Sequence, residues 1–289
     1  MPKTGKKADL RQRLAKGPVL CAEGYIFELE RRGYVKAGAY VPEVVVDYPE
    51  AVLQLHREFL RAGTDVLVAL TYYGHREKLK LIGREGDLET LNRQAVRLAR
   101  QAARGHDVLV AANICNTWAY EPDNPEAAAE VRRQYAEQLT WAVEEGVDFV
   151  LAETLEYVGE ALIALDVIKS FGLAAVVNFT PIYDKSKDDY DWIEACRILK
   201  EHGADVVGFN CGRGPATLLP LAEQLAKKVE GPLALVPVPY HTTAEYPSFQ
   251  FLRARDGSRA YTLALDQHYL DRQEVPTLQK RPIPLVYVL

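Results

Sequence analysis

The amino-acid sequence predicts an α/β fold, a (β/α)8 barrel of the TIM type, and three observations predict it. Short runs rich in Val and Leu alternate with longer amphipathic stretches, as strands covered on both faces of a parallel sheet do. A helix-Gly-X-Asp junction recurs in "AGTDVLV", "RGHDVLV", "EGVDFVL" and "HGADVVG". There glycine ends one helix in a left-handed cap and the next strand begins at once. No spaced-glycine dinucleotide fingerprint follows the first run, which reads on as "CAEGYIFELE", so a doubly wound open sheet is the weaker alternative.

The elements follow in order. A solvated basic helix over residues 8–16 leads into the first strand, 18–21. Further strands are expected at 65–70, 107–112, 148–152, 174–179, 204–209 and 233–237. Amphipathic helices are expected at 49–62, 87–104, 125–145, 158–171, 193–202 and 216–229. An eighth strand has one candidate, residues 283–289 ("IPLVYVL"), and without it the barrel is incomplete at strand eight. Residues 240–284 carry no clear pattern. A stretch of that length in a compact domain is a functional lid or a region where the fold is altered.

Composition narrows the function. The 289 residues, 48% hydrophobic and 26% charged, read as one globular domain over 1–289. A net charge of -5 argues against nucleic-acid partners, which need a basic surface. No apolar run is long enough to span a membrane, and the basic first 17 residues lack the apolar core of a secretory signal. The four cysteines read as free thiols in a reducing compartment, so a cytoplasmic location is expected.

In a barrel of this type the active site lies at the C-terminal ends of the strands. Those ends offer Cys21, Glu23 and Gly24; Thr71, Tyr72 and Tyr73; Asn113, Cys115, Asn116 and Thr117; Glu153 and Thr154; Asn178; Asn210 and Cys211; and Tyr240 and His241. This set holds no lysine, which argues against a Schiff-base enzyme. Its only carboxylates are Glu23 and Glu153, a poor basis for glycoside hydrolysis. Glu153 ends an apolar run, where a carboxylate is costly unless partnered, so a functional role is expected for it. Tyr72 and Tyr73 read equally as rim packing or pocket wall. Cys196, in "WIEACRIL", reads as helix core. Cys211, in "GFNCGRGP", is either a metal ligand or a small buried residue at a strand end.

The stretch "GYIFELERRGYVKAGAYVPEVVVDYPEAVLQLHREFLRAGTDVLVALTYYGHREKL" closely resembles the N-terminal half of betaine–homocysteine S-methyltransferases. "LAETLEYVGEAL" and "GADVVGFNC" match later segments, so the resemblance runs over roughly residues 8–265. It implies a (β/α)8 barrel holding zinc through three cysteines, with homocysteine and a methyl donor as small-molecule substrates. The metal binds the thiol and favours the thiolate, which is the nucleophile. Carried across, Cys211 is the first zinc ligand, and Glu153 holds the homocysteine amino group. Tyr73 is a tyrosine of the site, and Gly24 lies in the loop that contacts the amino acid. Tyr40 is the aromatic residue set against the donor's cation. Glu23, Tyr72, Asn210 and Thr154 complete the implied substrate pocket. Glu23 replaces an aspartate from the next position, and Thr154 stands where the animal betaine enzyme has tyrosine.

The ending departs from the resemblance. The adjacent cysteine pair expected after an eighth strand is absent, and Cys21, Cys115 and His241 are the alternative ligands. Three functions therefore follow. The first is zinc-dependent methyl transfer from a betaine-like or sulfonium donor to homocysteine. The second is a non-catalytic or truncated homocysteine- or amine-binding barrel. The third, with no histidine close by in sequence, is an enzyme using Cys211 as nucleophile. Open strand edges of an incomplete barrel favour homo-oligomers.

Overall fold

Six parallel strands form one sheet in the computed structural model, which describes residues 7–35, 41–253 and 257–258. They are β1 (Val66–Val68), β2 (Leu109–Cys115), β3 (Phe149–Leu155), β4 (Ala175–Phe179), β5 (Val206–Asn210) and β6 (Leu233–Val236). Each strand pairs only with its neighbours in sequence, from β1 through to β6. That order has no reversal point, as barrel winding requires and a doubly wound sheet does not allow.

Ten helices are described: α1 (Leu10–Leu14), α2 (Tyr25–Arg31), α3 (Val44–Asp47), α4 (Pro49–Ala62), α5 (Arg76–Lys80), α6 (Leu88–Ala103), α7 (Pro125–Glu144), α8 (Val158–Ser170), α9 (Trp192–Glu201) and α10 (Pro215–Ala226). Their starts follow local chemistry. Pro49 and Pro125 sit at first helical positions, where no N–H is missed. Asn124 and Asp191 accept the free N–H groups of the first turns of α7 and α9. The large helices pack in sequence order, α4 on α6, α6 on α7, α7 on α8, α8 on α9 and α9 on α10.

The repeated Gly-X-Asp junction does more than start a strand. Gly63 and Gly203 take the left-handed conformation at φ 92° and 95°. Three of the four aspartates then stitch a strand to the segment before it, while Asp107 pairs with Arg13. Asp65 accepts the Leu20 N–H at 2.8 Å, Asp148 the Val110 N–H at 2.7 Å and Asp205 the Ala175 N–H at 2.8 Å. Burial raises the Asp205 carboxyl, but Arg11, Lys169 and the Ala175 N–H outweigh it and hold it at about 2.

The first expected strand, 18–21, shrinks to a single parallel bridge, Cys21 to Val66. Pro18 has no N–H to give, and Gly24 already caps α2, so little chain is left to pair. The bridge still sets this segment beside β1, with Ala22 N–H donating to Val66 O at 2.9 Å. The candidate eighth strand, 283–289, lies outside the described residues. Among the described residues no helix is long and apolar enough to cross a membrane.

Candidate functional site

A cavity of about 620 Å³ opens at the C-terminal ends of the strands. Of the residues singled out from sequence, it is lined by Glu23, Gly24, Tyr72, Tyr73, Asn113, Asn116, Glu153, Thr154, Asn210 and Cys211. Tyr40 lies outside the described residues.

Glu153, at the end of β3, is buried at 6% exposure. Asn113 of β2 donates to its Oε1, and Asn210 of β5 donates to its Oε2 at 3.0 Å. Asn210 also donates to Thr154 Oγ1 at 2.8 Å and accepts the Thr154 N–H at 2.7 Å. Asn116 donates to the Thr154 carbonyl at 2.8 Å. Burial pushes the Glu153 carboxyl up to about 7, against the opposing pull of Asn113. Glu23 is pushed well up by burial and by the Glu153 charge, and its Oε1 has no hydrogen-bond partner among the described residues. Two acidic groups thus share one low-dielectric wall. Such a wall favours a cationic guest, whose charge repays the cost of ionising them.

Four lining residues that are not glycine hold left-handed backbone: Tyr73 (φ 56°), Trp118 (φ 63°), Thr154 (φ 60°) and Cys211 (φ 59°). Strain of this kind gathers where side chains must be aimed. The Tyr73 N–H donates to Cys115 Sγ at 3.2 Å, which fixes one of these bends. Thr117 is held through its N–H and hydroxyl by buried Glu160, which fixes the segment leading to Trp118.

Cys211 is half-buried just past β5, with its N–H on the Val236 carbonyl at 2.9 Å. Burial pushes its thiol up to about 12, against the opposing pull of the Gly212 N–H. The chain after β6 folds over it. Tyr240 and Phe249 rings lie 4.8 Å apart, Phe27 meets Tyr240 at 6.1 Å, and Phe249 N–H donates to Gly212 O at 2.8 Å. The unpatterned stretch after 240 therefore begins as a cover over the cysteine loop.

The alternative ligands do not gather around Cys211. Cys21 and Cys115 are buried behind the cavity wall, and His241 is exposed. Cys115 is already engaged by the Tyr73 N–H. Among the described residues no group of three His, Cys, Asp or Glu side chains could hold a metal ion. All four cysteines of the given sequence are among the described residues. The donor set in view does not fit the three-cysteine centre that the resemblance implies.

The strand ends carry no lysine, yet the cavity does. Lys78 of α5 and Lys187 of the loop after β4 both line it. Lys78 is 1% exposed, and burial lowers its ammonium to about 8. Its Nζ lies 3.9 Å from the Tyr73 ring centre and 3.8 Å from that of Trp118. Lys187 pairs with Glu156 at 2.8 Å. Reading only the residues that end each strand misses side chains delivered from the following helix or loop. The pattern Tyr72-Tyr73 followed five residues on by a lysine inside an amphipathic turn was the available signal.

Residues 24–257 match the family model described as homocysteine S-methyltransferase. Betaine–homocysteine S-methyltransferase 1 of Xenopus tropicalis is 37% identical over 257 residues, covering 84% of this chain and 62% of that protein. The Sus scrofa protein of the same name is 36% identical, covering 82% and 88%. S-methylmethionine–homocysteine S-methyltransferase of Pongo abelii is 34% identical, covering 82% and 65%. The chain thus spans about 62% of the length of the first of these relatives. Among solved structures, the homocysteine methyltransferase MmuM from Escherichia coli, in its metallated form, superposes with TM-score 0.67 at 21% identity. That likeness covers 78% of this chain and 85% of MmuM, and it supports the fold.

Proposed function

The chain belongs to the homocysteine S-methyltransferase family, and from that premise we propose that it transfers a methyl group from a quaternary-amine or sulfonium donor to homocysteine, giving methionine. The observation that carries this reading is Glu153, a buried carboxylate in the cavity wall clasped by Asn113 and Asn210. It is the anchor an amino-acid ammonium needs, with Glu23 and the Gly24 loop beside it. Tyr72, Tyr73 and Thr154 would wall the pocket, and Asn210 would hold both Glu153 and Thr154 in register. Tyr40 belongs to the donor side of this reading.

The chemistry forms a bond from the homocysteine sulfur to the methyl carbon. The donor's N–C or S–C bond breaks, and its electron pair leaves with the neutral amine or sulfide. The thiol proton must be lost first, because the thiolate is the nucleophile. The residues of the cavity bind, orient and exclude water, which is where positioning contributes to rate. Zinc enters as a further proposal. Cys211 would give one ligand, and the described residues give no second and third.

The test is methionine formation by the purified chain from homocysteine with glycine betaine or S-methylmethionine, alongside zinc per chain by elemental analysis. Methionine formation is the expected result, and any zinc lost in Cys211→Ala would identify Cys211 as a ligand. Homocysteine that neither binds nor reacts overturns the reading. The lack of a three-ligand group among the described residues favours a second reading, a homocysteine- or amine-binding barrel without catalysis, for which homocysteine binds but no methionine forms. Four free cysteines suit a cytoplasmic protein, and association through sheet edges would make it a homo-oligomer.

A further inference from the structure

We propose that Lys78 is a built-in competitor for the cationic methyl donor: its ammonium fills an aromatic corner, formed by Tyr73 and Trp118, that an onium group would otherwise take. The inference rests on the reading of this cavity as one that accepts a cationic donor.

The corner is a built feature. The Tyr73 and Trp118 rings meet edge to face, with centroids 5.9 Å apart and planes at 78°. The Lys78 Nζ sits in the angle, within 4 Å of both ring centres at 3.9 and 3.8 Å. Both aromatic residues hold the left-handed backbone described above, and both line the cavity, as does Lys78. Their bends are pinned from behind, at Tyr73 by Cys115 and ahead of Trp118 by Glu160 through Thr117. Trp118 is 44% exposed and closes the corner from the solvent side.

Ring faces attract any cation, and most strongly one that has lost its water. A trimethylammonium or sulfonium group and the lysine ammonium therefore seek the same place. Two like charges in a poorly solvated pocket repel. The donor must push the lysine stem aside or bind beside it at an electrostatic cost. On either route Lys78 weakens donor binding, and its removal strengthens it.

The probe is tetramethylammonium chloride, titrated calorimetrically into the full chain against potassium chloride at matched ionic strength. Lys78→Met keeps the length of the side chain and loses the charge. Lys78→Gln is a second neutral variant, should the first not fold. Lys78→Arg keeps the charge. Binding about tenfold tighter in the neutral variants, with Lys78→Arg as weak as the wild type, is the expected result. Adding Trp118→Leu to Lys78→Met should abolish the gain. Equal binding in the wild type and the neutral variants overturns the proposal. So does a gain that survives loss of Trp118, or an absence of binding in every variant. The experiment uses no homocysteine, metal or turnover, so its failure is separable from failure of the methyl-transfer reading.

Discussion

Asn210 Nδ2 donates to Glu153 Oε2 at 3.0 Å, and that bond reaches from the end of β5 to the end of β3, passing over β4. Backbone pairing joins only adjacent strands, so this side-chain link adds a connection the sheet does not supply. The same amide holds Thr154 at both its N–H and its hydroxyl. One residue thereby sets the position of the acidic anchor and of the bend beside it. The cavity wall is thus tied together between strands, and Asn116 just past β2 adds a further tie at the Thr154 carbonyl.

Asn210→Leu should be strongly destabilising. It keeps the bulk but leaves the Thr154 N–H and Glu153 Oε2 without these partners in a buried site. Each orphaned group costs on the order of 1–3 kcal/mol, so a loss of about 3 kcal/mol is expected. Urea unfolding should show a lower midpoint at an unchanged slope. A loss below about 0.5 kcal/mol, the range of ordinary surface changes, would show that the network is not a structural tie.

Glu153→Gln separates binding from stability. The carboxyl sits at about 7 in the folded chain, above the unfolded value of about 4.3. The folded state therefore holds this proton more tightly. Its contribution to stability is complete below about pH 4 and is lost as pH rises towards 7. Wild-type Tm should fall relative to Glu153→Gln across that window. A slope remains in the variant, since Glu23 is shifted in the same direction. Homocysteine affinity should drop by about tenfold or more, as loss of a charged hydrogen bond predicts. Unchanged homocysteine affinity would remove Glu153 from the substrate site.

How much of this was legible in the sequence depends on the element. The strands β1 to β6 were readable because each is an apolar run with its own junction glycine or turn, buried on both faces in β1 to β5 and on one in β6. The first run failed as a strand because Pro18 and the Gly24 cap of α2 leave it too short, which apolar content does not reveal. The junction aspartates were visible as a repeat, but their bonds to the preceding strand at Leu20, Val110 and Ala175 needed coordinates. In the site, Glu153 and Cys211 were legible because a polar residue closing an apolar run requires an explanation. Lys78 and Trp118 were not, since their place in the cavity depends on how α5 and the segment after β2 turn back. Cys21 and Cys115 shared a strand-end signature with Cys211, yet neither lines the cavity, although Glu23 and Asn113 two residues away do.

Acid stability should depend on His56. It is buried, its Nδ1 meets the Tyr25 hydroxyl at 3.0 Å, and burial lowers its pKa to about 3. The unfolded value is about 6.5, so the unfolded state binds the proton first as pH falls. The stabilisation is complete above about pH 6.5 and is lost steadily towards pH 3. At pH 5 the loss is about 2 kcal/mol for this residue. His56→Gln should flatten the fall of Tm between pH 7 and about 4.5. His75 is lowered to about 3 chiefly by burial and leaves a residual slope. Identical profiles for variant and wild type would place the acid sensitivity elsewhere.

Gly208→Ala tests whether the Cys211 loop depends on close strand approach. A Cβ at Gly208 would lie 1.9 Å from the Ala234 carbonyl oxygen, and that neighbour is backbone that cannot rotate away. β6 would have to move, at a cost of about 1–3 kcal/mol for overpacking. The consequence should reach the site. Val236 of β6 accepts the Cys211 N–H, and Val238 donates its N–H to the Arg213 carbonyl at 3.0 Å, so the cysteine loop is tied to the displaced strand at two points. Loosening those ties exposes a thiol that is half-buried in the wild type. Labelling of Cys211 by a thiol reagent should therefore accelerate in Gly208→Ala alongside the lower Tm. A lower Tm with unchanged labelling would mean that the loop is held by Phe249 and Thr242, through Gly212 and Gly214, and not by β6.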